Sequence, residues 1–176
     1  MKNLIFNVLI ILALAVFFVC NLPTAAHAAT ITDQPLTPCG LTARQYDEMF
    51  ARLGKPRMVG FGQIFEAGEI ETGVNGLVVA SISCLETGWG TSYSANYRNN
   101  MGGILGPHGY RIFDSKEESI RYMFRILAGP IYIGSGRITI DEIAPAYCTT
   151  EGWAPEVHSI IQKLICKLKL GNNQPG

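Results

Sequence analysis

The chain has 176 residues, with 14 basic and 14 acidic side chains and a formal net charge of zero. Only 16% of the residues are charged against 48% hydrophobic. That balance excludes a disordered chain and leaves no electrostatic footprint for nucleic acid or an anionic membrane surface.

The first segment reads as a leader. Lys2 gives a short basic start, Leu4 to Val19 is apolar and uncharged, and Ala26-His27-Ala28 is a small-x-small cleavage pattern after Pro23. Residues 1–28 are therefore expected to be a signal peptide that exports the chain to the periplasm, the cell wall or the medium. Phe17-Phe18-Val19-Cys20 makes a poor lipoprotein box. About 150 residues remain, enough for one domain with a real core. After cleavage no membrane association is expected, and the domain is expected to act as a monomer.

Cys39, Cys84, Cys148 and Cys166 lie in the mature part. An even count in an exported chain permits disulfides, and sequence does not choose among the pairings. Cys39 with Cys166 would tie the ends together, Cys84 with Cys148 would brace the middle, and Cys84 fits a small buried hydrophobe equally well. With no CxxC pair and no histidine cluster, neither a metal nor a cofactor is expected.

Residues 29–40, rich in Thr and Pro, predict an extended lead-in. Thr42 with Gln45 is a capping box, and Tyr46, Met49, Phe50 and Leu53 then recur at helical spacing up to Gly54 and Pro56. Phe61, Ile64 and Phe65 predict a second helix that fades over Gly68 to Gly73. Asn75 caps a central helix, Leu77 to Thr87, and Gly88 suits its C-terminal cap. Residues 88–113 carry glycines, asparagines and tyrosines with no helical period. Only Tyr110 to Phe113 alternates, like a short strand, and His108 is a turn residue.

Ser115 with Glu118 opens a helix striped by Ile120, Met123, Phe124 and Leu127, which stops at Gly129-Pro130. Ile131 to Gly136 is a loop or brief turn. Thr139 with Glu142 starts a short helix that Pro145 interrupts. The last helix begins near Pro155, carries Val157, Ile160, Ile161, Leu164 and Leu168 on one stripe, and ends at Gly171. Trp153 is expected to dock it. About six helices and at most a small β element make the chain mainly α.

The central helix carries the chemistry. In the run Val78 to Ser92, VVASISCLETGWGTS, the sole charge is Glu86. Val79, Ile82, Ser83 and Glu86 share a helix face, so the carboxyl projects from an apolar side at the helix C-terminus. Burial and the helix dipole both raise its pKa, which is what a general acid needs. An exposed glutamate in the last turn, with no role, accounts for composition alone just as well.

Further motifs separate the two. Gly73-Val74-Asn75, then VVASISCLETGWGTS, Asn99-Asn100, Tyr110-Arg111-Ile112-Phe113-Asp114-Ser115, and Ala146-Tyr147-Cys148 to Trp153 occur in an order that resembles the bacterial glucosaminidase family. These are the lysozyme-like endo-β-N-acetylglucosaminidases of peptidoglycan hydrolases. The resemblance runs from about Gly40 to Leu168 and implies a lysozyme-like helical domain over residues 41–170, with a loose tail after it.

It also implies roles. Glu86 matches the catalytic acid and Tyr147 a tyrosine that lines the site opposite it. Asn100 and Tyr110 match positions near the substrate groove, and Trp89 is the motif tryptophan, a sugar contact or a lock on the turn. Tyr93 and Tyr97 are further candidates to stack on sugars. The implied partner is a peptidoglycan glycan strand.

Two departures stand out. The family pattern N-N-x-F-G-I becomes Asn99-Asn100-Met101-Gly102-Gly103-Ile104, so a glycine replaces an aromatic, which is expected to remove a sugar contact or widen the cleft. The β-lobe after Ile104 is short, and no acid lies between Glu86 and Asp114. Paired carboxylates are the usual glycosidase device. Here Glu151 is the best remaining partner, and a one-acid mechanism is expected instead. Lytic transglycosylase chemistry and a non-catalytic glycan-binding module are the alternatives.

Overall fold

The capping signals read from sequence determine where the helices start. The computed structural model describes residues 36–171, all within one compact unit, Thr32–Gly176. The expected signal peptide, most of the expected lead-in and the tail after residue 171 lie outside the described residues. Helix α1, Ala43–Arg52, carries the Thr42–Gln45 capping box. Helix α2 is Gly62–Thr72, and α3 is Gly76–Thr87, with Asn75 accepting from the N–H groups of Leu77 and Val78 and Gly88 closing it in the left-handed region. After a loop come α4, Tyr93–Tyr97, and an antiparallel hairpin, β1 Leu105–Gly106 and β2 Gly109–Tyr110, in which Leu105 pairs with Tyr110. Helices α5, Lys116–Ala128, α6, Ile140–Tyr147, and α7, Trp153–Gly171, complete the fold, with a 3-10 turn at Ile133–Ser135.

Helix α3 is the axis. It packs against α2, α5 and α7, while α1 packs on α2 and α7. Val78, Val79, Ala80, Ile82 and Cys84 are all fully buried, as expected of a helix apolar all round. Tyr46, Phe50 and Phe65 fill the α1–α2 interface with ring centroids 5.5 and 6.2 Å apart. Among the described residues no helix is long and apolar enough to cross a membrane.

Several boundaries differ from the sequence reading. Helix α2 does not fade at Gly68 but runs on to a left-handed Gly73. Gly68 is needed there because Phe124 of α5 packs directly on its Cα, where any Cβ would collide with the ring. Helix α4 carries no amphipathic period and was not expected. It forms because Ser92 caps it, accepting from Ala95 N–H, and because it is only one turn long. The strand is Gly109–Tyr110, not Tyr110 to Phe113. Phe113 turns inward and is buried. Pro145 does not interrupt α6 but sits inside it, in a last turn that closes with the Cys148 N–H on the Ala144 carbonyl. Helix α7 begins two residues early, at Trp153, and leaves Pro155 in the first turn, where no intrahelical N–H is required.

Among the described residues Cys39, Cys84, Cys148 and Cys166 are free thiols. Cys84 is the buried small hydrophobe. Cys39 instead joins a polar knot around Glu69, an almost fully buried acid on α2. The Glu69 carboxylate accepts from the N–H groups of Cys39 at 3.0 Å, Gly40 at 2.7 Å and Gly76 at 2.6 Å, and from the Cys39 thiol at 3.1 Å. It thereby anchors the lead-in and the start of α3 to α2. Burial pushes the Cys39 thiol up to about 11, so it stays protonated and can donate.

Candidate active site

Glu86 stands in the last turn of α3 and is half-buried. Its Oε1 accepts the indole N–H of Trp153, the first residue of α7, at 2.8 Å. Its Oε2 lies against Gly103. A Cβ on Gly103 would collide with that oxygen, and the glycine has a φ of +63°, so only glycine fits there. Burial raises the Glu86 carboxyl above the usual range, and the Trp153 N–H pulls it back in part. No neighbouring charge contributes to the shift. The acid is therefore poised by desolvation, as the sequence indicated, and held by an indole that the sequence reading had assigned only to helix docking.

Tyr147, the last residue of α6, lies over Trp153 with ring centroids 4.9 Å apart and planes at 26°. Its hydroxyl donates to the Gly102 carbonyl at 2.9 Å. Burial, and then the charge on Glu86, hold its phenol well above the ordinary value. Tyr147 is thus a neutral hydroxyl beside the acid that also ties α6 to the loop before the hairpin. Glu86, Tyr147, Trp153 and the Gly102-Gly103 backbone form one cluster drawn from α3, α6, α7 and that loop.

Asn100 was expected near the substrate groove. It is fully buried instead, and its amide is used up. It donates to the carbonyls of Ile104 at 2.8 Å and Arg111 at 2.9 Å, and accepts from the N–H groups of Gly102 at 3.3 Å and Ile104 at 3.0 Å. No capacity remains for a sugar. Asn100 builds the wall by folding the loop that presents Gly103 to Glu86.

Gly102 does not open the cleft. A Cβ there would lie 2.7 Å from both Cγ and Sδ of Met123 on α5. That methionine is fully buried, so it occupies the space against Gly102 and the wall stays closed.

Trp89 has left-handed φ of 62°, between Gly88 at 54° and Gly90 at 77°. These three residues turn the chain sharply out of α3. The Trp89 ring lies under the Lys55 ammonium, 4.8 Å from its centroid. Trp89 thus forms part of the turn that leaves α3. Tyr93 and Tyr97 stack on each other, centroids 4.8 Å apart, and are 66% and 74% exposed, a bare aromatic surface on α4. Tyr110 is half-exposed on the hairpin, its carbonyl held by the Arg98 guanidinium at 2.9 Å. Glu151 is exposed in the turn before α7. Among the described residues no group of histidine, cysteine and carboxylate side chains could hold a metal ion.

A mainly helical domain with a minimal hairpin lobe, built around a central helix that ends in a desolvated glutamate, has the architecture of a lysozyme-like domain. The family model for glucosaminidase, described as mannosyl-glycoprotein endo-beta-N-acetylglucosaminidase, matches residues 62–165. The chain belongs to that family, whose activity is glycoside hydrolysis. The match runs from the first residue of α2 into α7, and α1, which packs on both, lies before the matched stretch. No curated protein matches the chain.

Proposed function

We propose that the chain is an exported endo-β-N-acetylglucosaminidase that cuts β-1,4 bonds in peptidoglycan glycan strands, with Glu86 as general acid. The observation that carries this reading is the Glu86 carboxyl itself, desolvated and fixed through Oε1 to Trp153, on which the Tyr147 ring stacks.

In this reaction the protonated Glu86 gives its proton to the glycosidic oxygen as the C1–O bond breaks. No acid lies between Glu86 and Asp114, which favours a one-acid mechanism over the paired-carboxylate scheme. The substrate's own N-acetyl oxygen attacks C1 from the other face and forms a cyclic oxazolinium. Water then opens that ring and returns a proton to the Glu86 carboxylate. Tyr147 donates its proton to Gly102, so its oxygen lone pairs are available to hold that water or to stabilise the positive charge developing at C1. The exposed Tyr93–Tyr97 surface and Tyr110 offer stacking faces for sugars further along the strand.

The same single acid suits a lytic transglycosylase, in which a sugar hydroxyl takes the place of water. Mass spectrometry of a digest of purified peptidoglycan separates the two. New GlcNAc reducing ends that carry one added water support the proposal. Anhydro-MurNAc ends, or no cleavage, would overturn it.

A further inference from the structure

Two guanidinium groups converge on one aromatic ring beside the acid's wall, and the mechanism uses neither. Arg111 lies over Tyr122 at 4.4 Å and over Phe113 at 5.0 Å from the ring centroids, and Arg125 lies over Tyr122 at 5.8 Å. Both arginines are exposed, and Tyr122 is half-buried. Among the described residues neither guanidinium is paired with a carboxylate. Arg121, on the same helix as Arg125, faces Glu71 at 3.5 Å, and Glu118 is occupied by the Asp114 N–H at 2.9 Å.

Cation–π contact holds each guanidinium in place, but two like charges at one ring repel each other. An oxyanion seated at the ring edge relieves that repulsion, and arginine's planar fork suits a carboxylate. The location ties the pair to the catalytic cluster. Gly103 touches Glu86, its neighbour Ile104 accepts the Arg111 N–H at 2.9 Å, and Met123, next to Tyr122, backs Gly102. Arg111 therefore sits at the rim of the same loop, and Arg125 meets it at the Tyr122 ring.

We propose that Arg111 and Arg125, stacked about Tyr122, form a carboxylate-binding subsite that reads acidic substituents on the glycan strand and so selects an anionic wall glycan over a neutral one. This rests on the proposed glycan-cleaving function and deepens it. The carboxylates come from the peptide stems of peptidoglycan, or from the lactyl ether of muramic residues that carry no stem.

The test compares kcat/KM for intact peptidoglycan, peptide-stripped glycan and a neutral chitin oligosaccharide. It uses the full mature protein and the Arg111→Gln, Arg125→Gln and double variants, with retention on insoluble wall measured alongside. The double variant is expected to lower the intact-to-neutral kcat/KM ratio, and retention on intact wall, roughly five- to tenfold. The salt sensitivity of wild-type retention is expected to fall with it. Loss of the effect on peptide-stripped glycan assigns the anion to the stems, and its persistence assigns it to the lactyl carboxylate.

If Arg111→Gln unfolds, Arg111→Lys and the exposed Arg125→Gln decide the matter. An unchanged ratio and unchanged retention in folded variants would overturn the subsite and leave the catalytic reading intact. Absence of cleavage by the wild type would count against the catalytic reading alone. Retention of wild type against the double variant on intact wall then judges the subsite, and equal retention of the two would overturn it.

Discussion

The Trp153 indole donates its N–H to Glu86 Oε1 at 2.8 Å across 67 residues of sequence. This bond joins the first residue of α7 to the last turn of α3, and it acts on the acid against burial. Desolvation disfavours the carboxylate, while the N–H favours it. The bond also leaves Oε2 as the oxygen beside Gly103.

Trp153→Phe keeps an aromatic ring to stack on Tyr147 and deletes the N–H. With that donor gone, the Glu86 pKa rises further. The alkaline limb of the kcat pH profile, where the acid loses its proton, is expected to move to higher pH. The carboxyl also loses its anchor, so kcat at the optimum is expected to fall about tenfold. Steady-state kinetics across pH check both. An unmoved alkaline limb would show that the indole does not tune the acid.

The Glu86 charge has a stability consequence of its own. A carboxyl whose pKa is raised by folding favours the folded state while protonated and opposes it once ionised. Stability held below the ordinary glutamate value is therefore lost as pH rises through the folded value. Glu86→Gln keeps an oxygen for the Trp153 N–H and never ionises. It is expected to raise Tm at neutral pH by a few degrees, with the gain vanishing towards pH ~4. Thermal melts across pH read this directly, and a constant gain at all pH would mean that ionisation is not its source.

Asn100→Ala tests the reassignment of that residue from sugar contact to wall builder. Truncation leaves the Ile104 and Arg111 carbonyls and the Gly102 and Ile104 N–H groups without their partner. The expected cost is about 3 kcal/mol of unfolding free energy, measured by denaturant titration. A stable variant with only a raised KM would return Asn100 to the substrate groove.

Much of this fold was legible in sequence because its helix starts are written in local chemistry. Thr42, Asn75, Ser115 and Thr139 each cap the helix they were expected to cap. The central helix was legible because it is apolar throughout, and Glu86 stood out as its one charge. What stayed hidden depends on contacts between distant segments. Gly68 looked like a helix breaker until Phe124 was seen against it, and Gly102 looked like an opened cleft until Met123 was seen against it. The Glu69 knot could not be found from spacing, because its donors come from residues 39, 40 and 76. Trp153 closed the last recognisable motif, a signal that could have tied it to the site, but its partner lies on another helix. Helix α4 is too short to show a period.

The central claim is that Glu86 supplies the proton. The most direct measurement is the rate of release of reducing ends from purified peptidoglycan by wild type and by Glu86→Gln, each shown to be folded by its thermal melt. The variant is expected to lose about a thousandfold in kcat, with binding to the wall retained. Near-wild-type release by folded Glu86→Gln would contradict it.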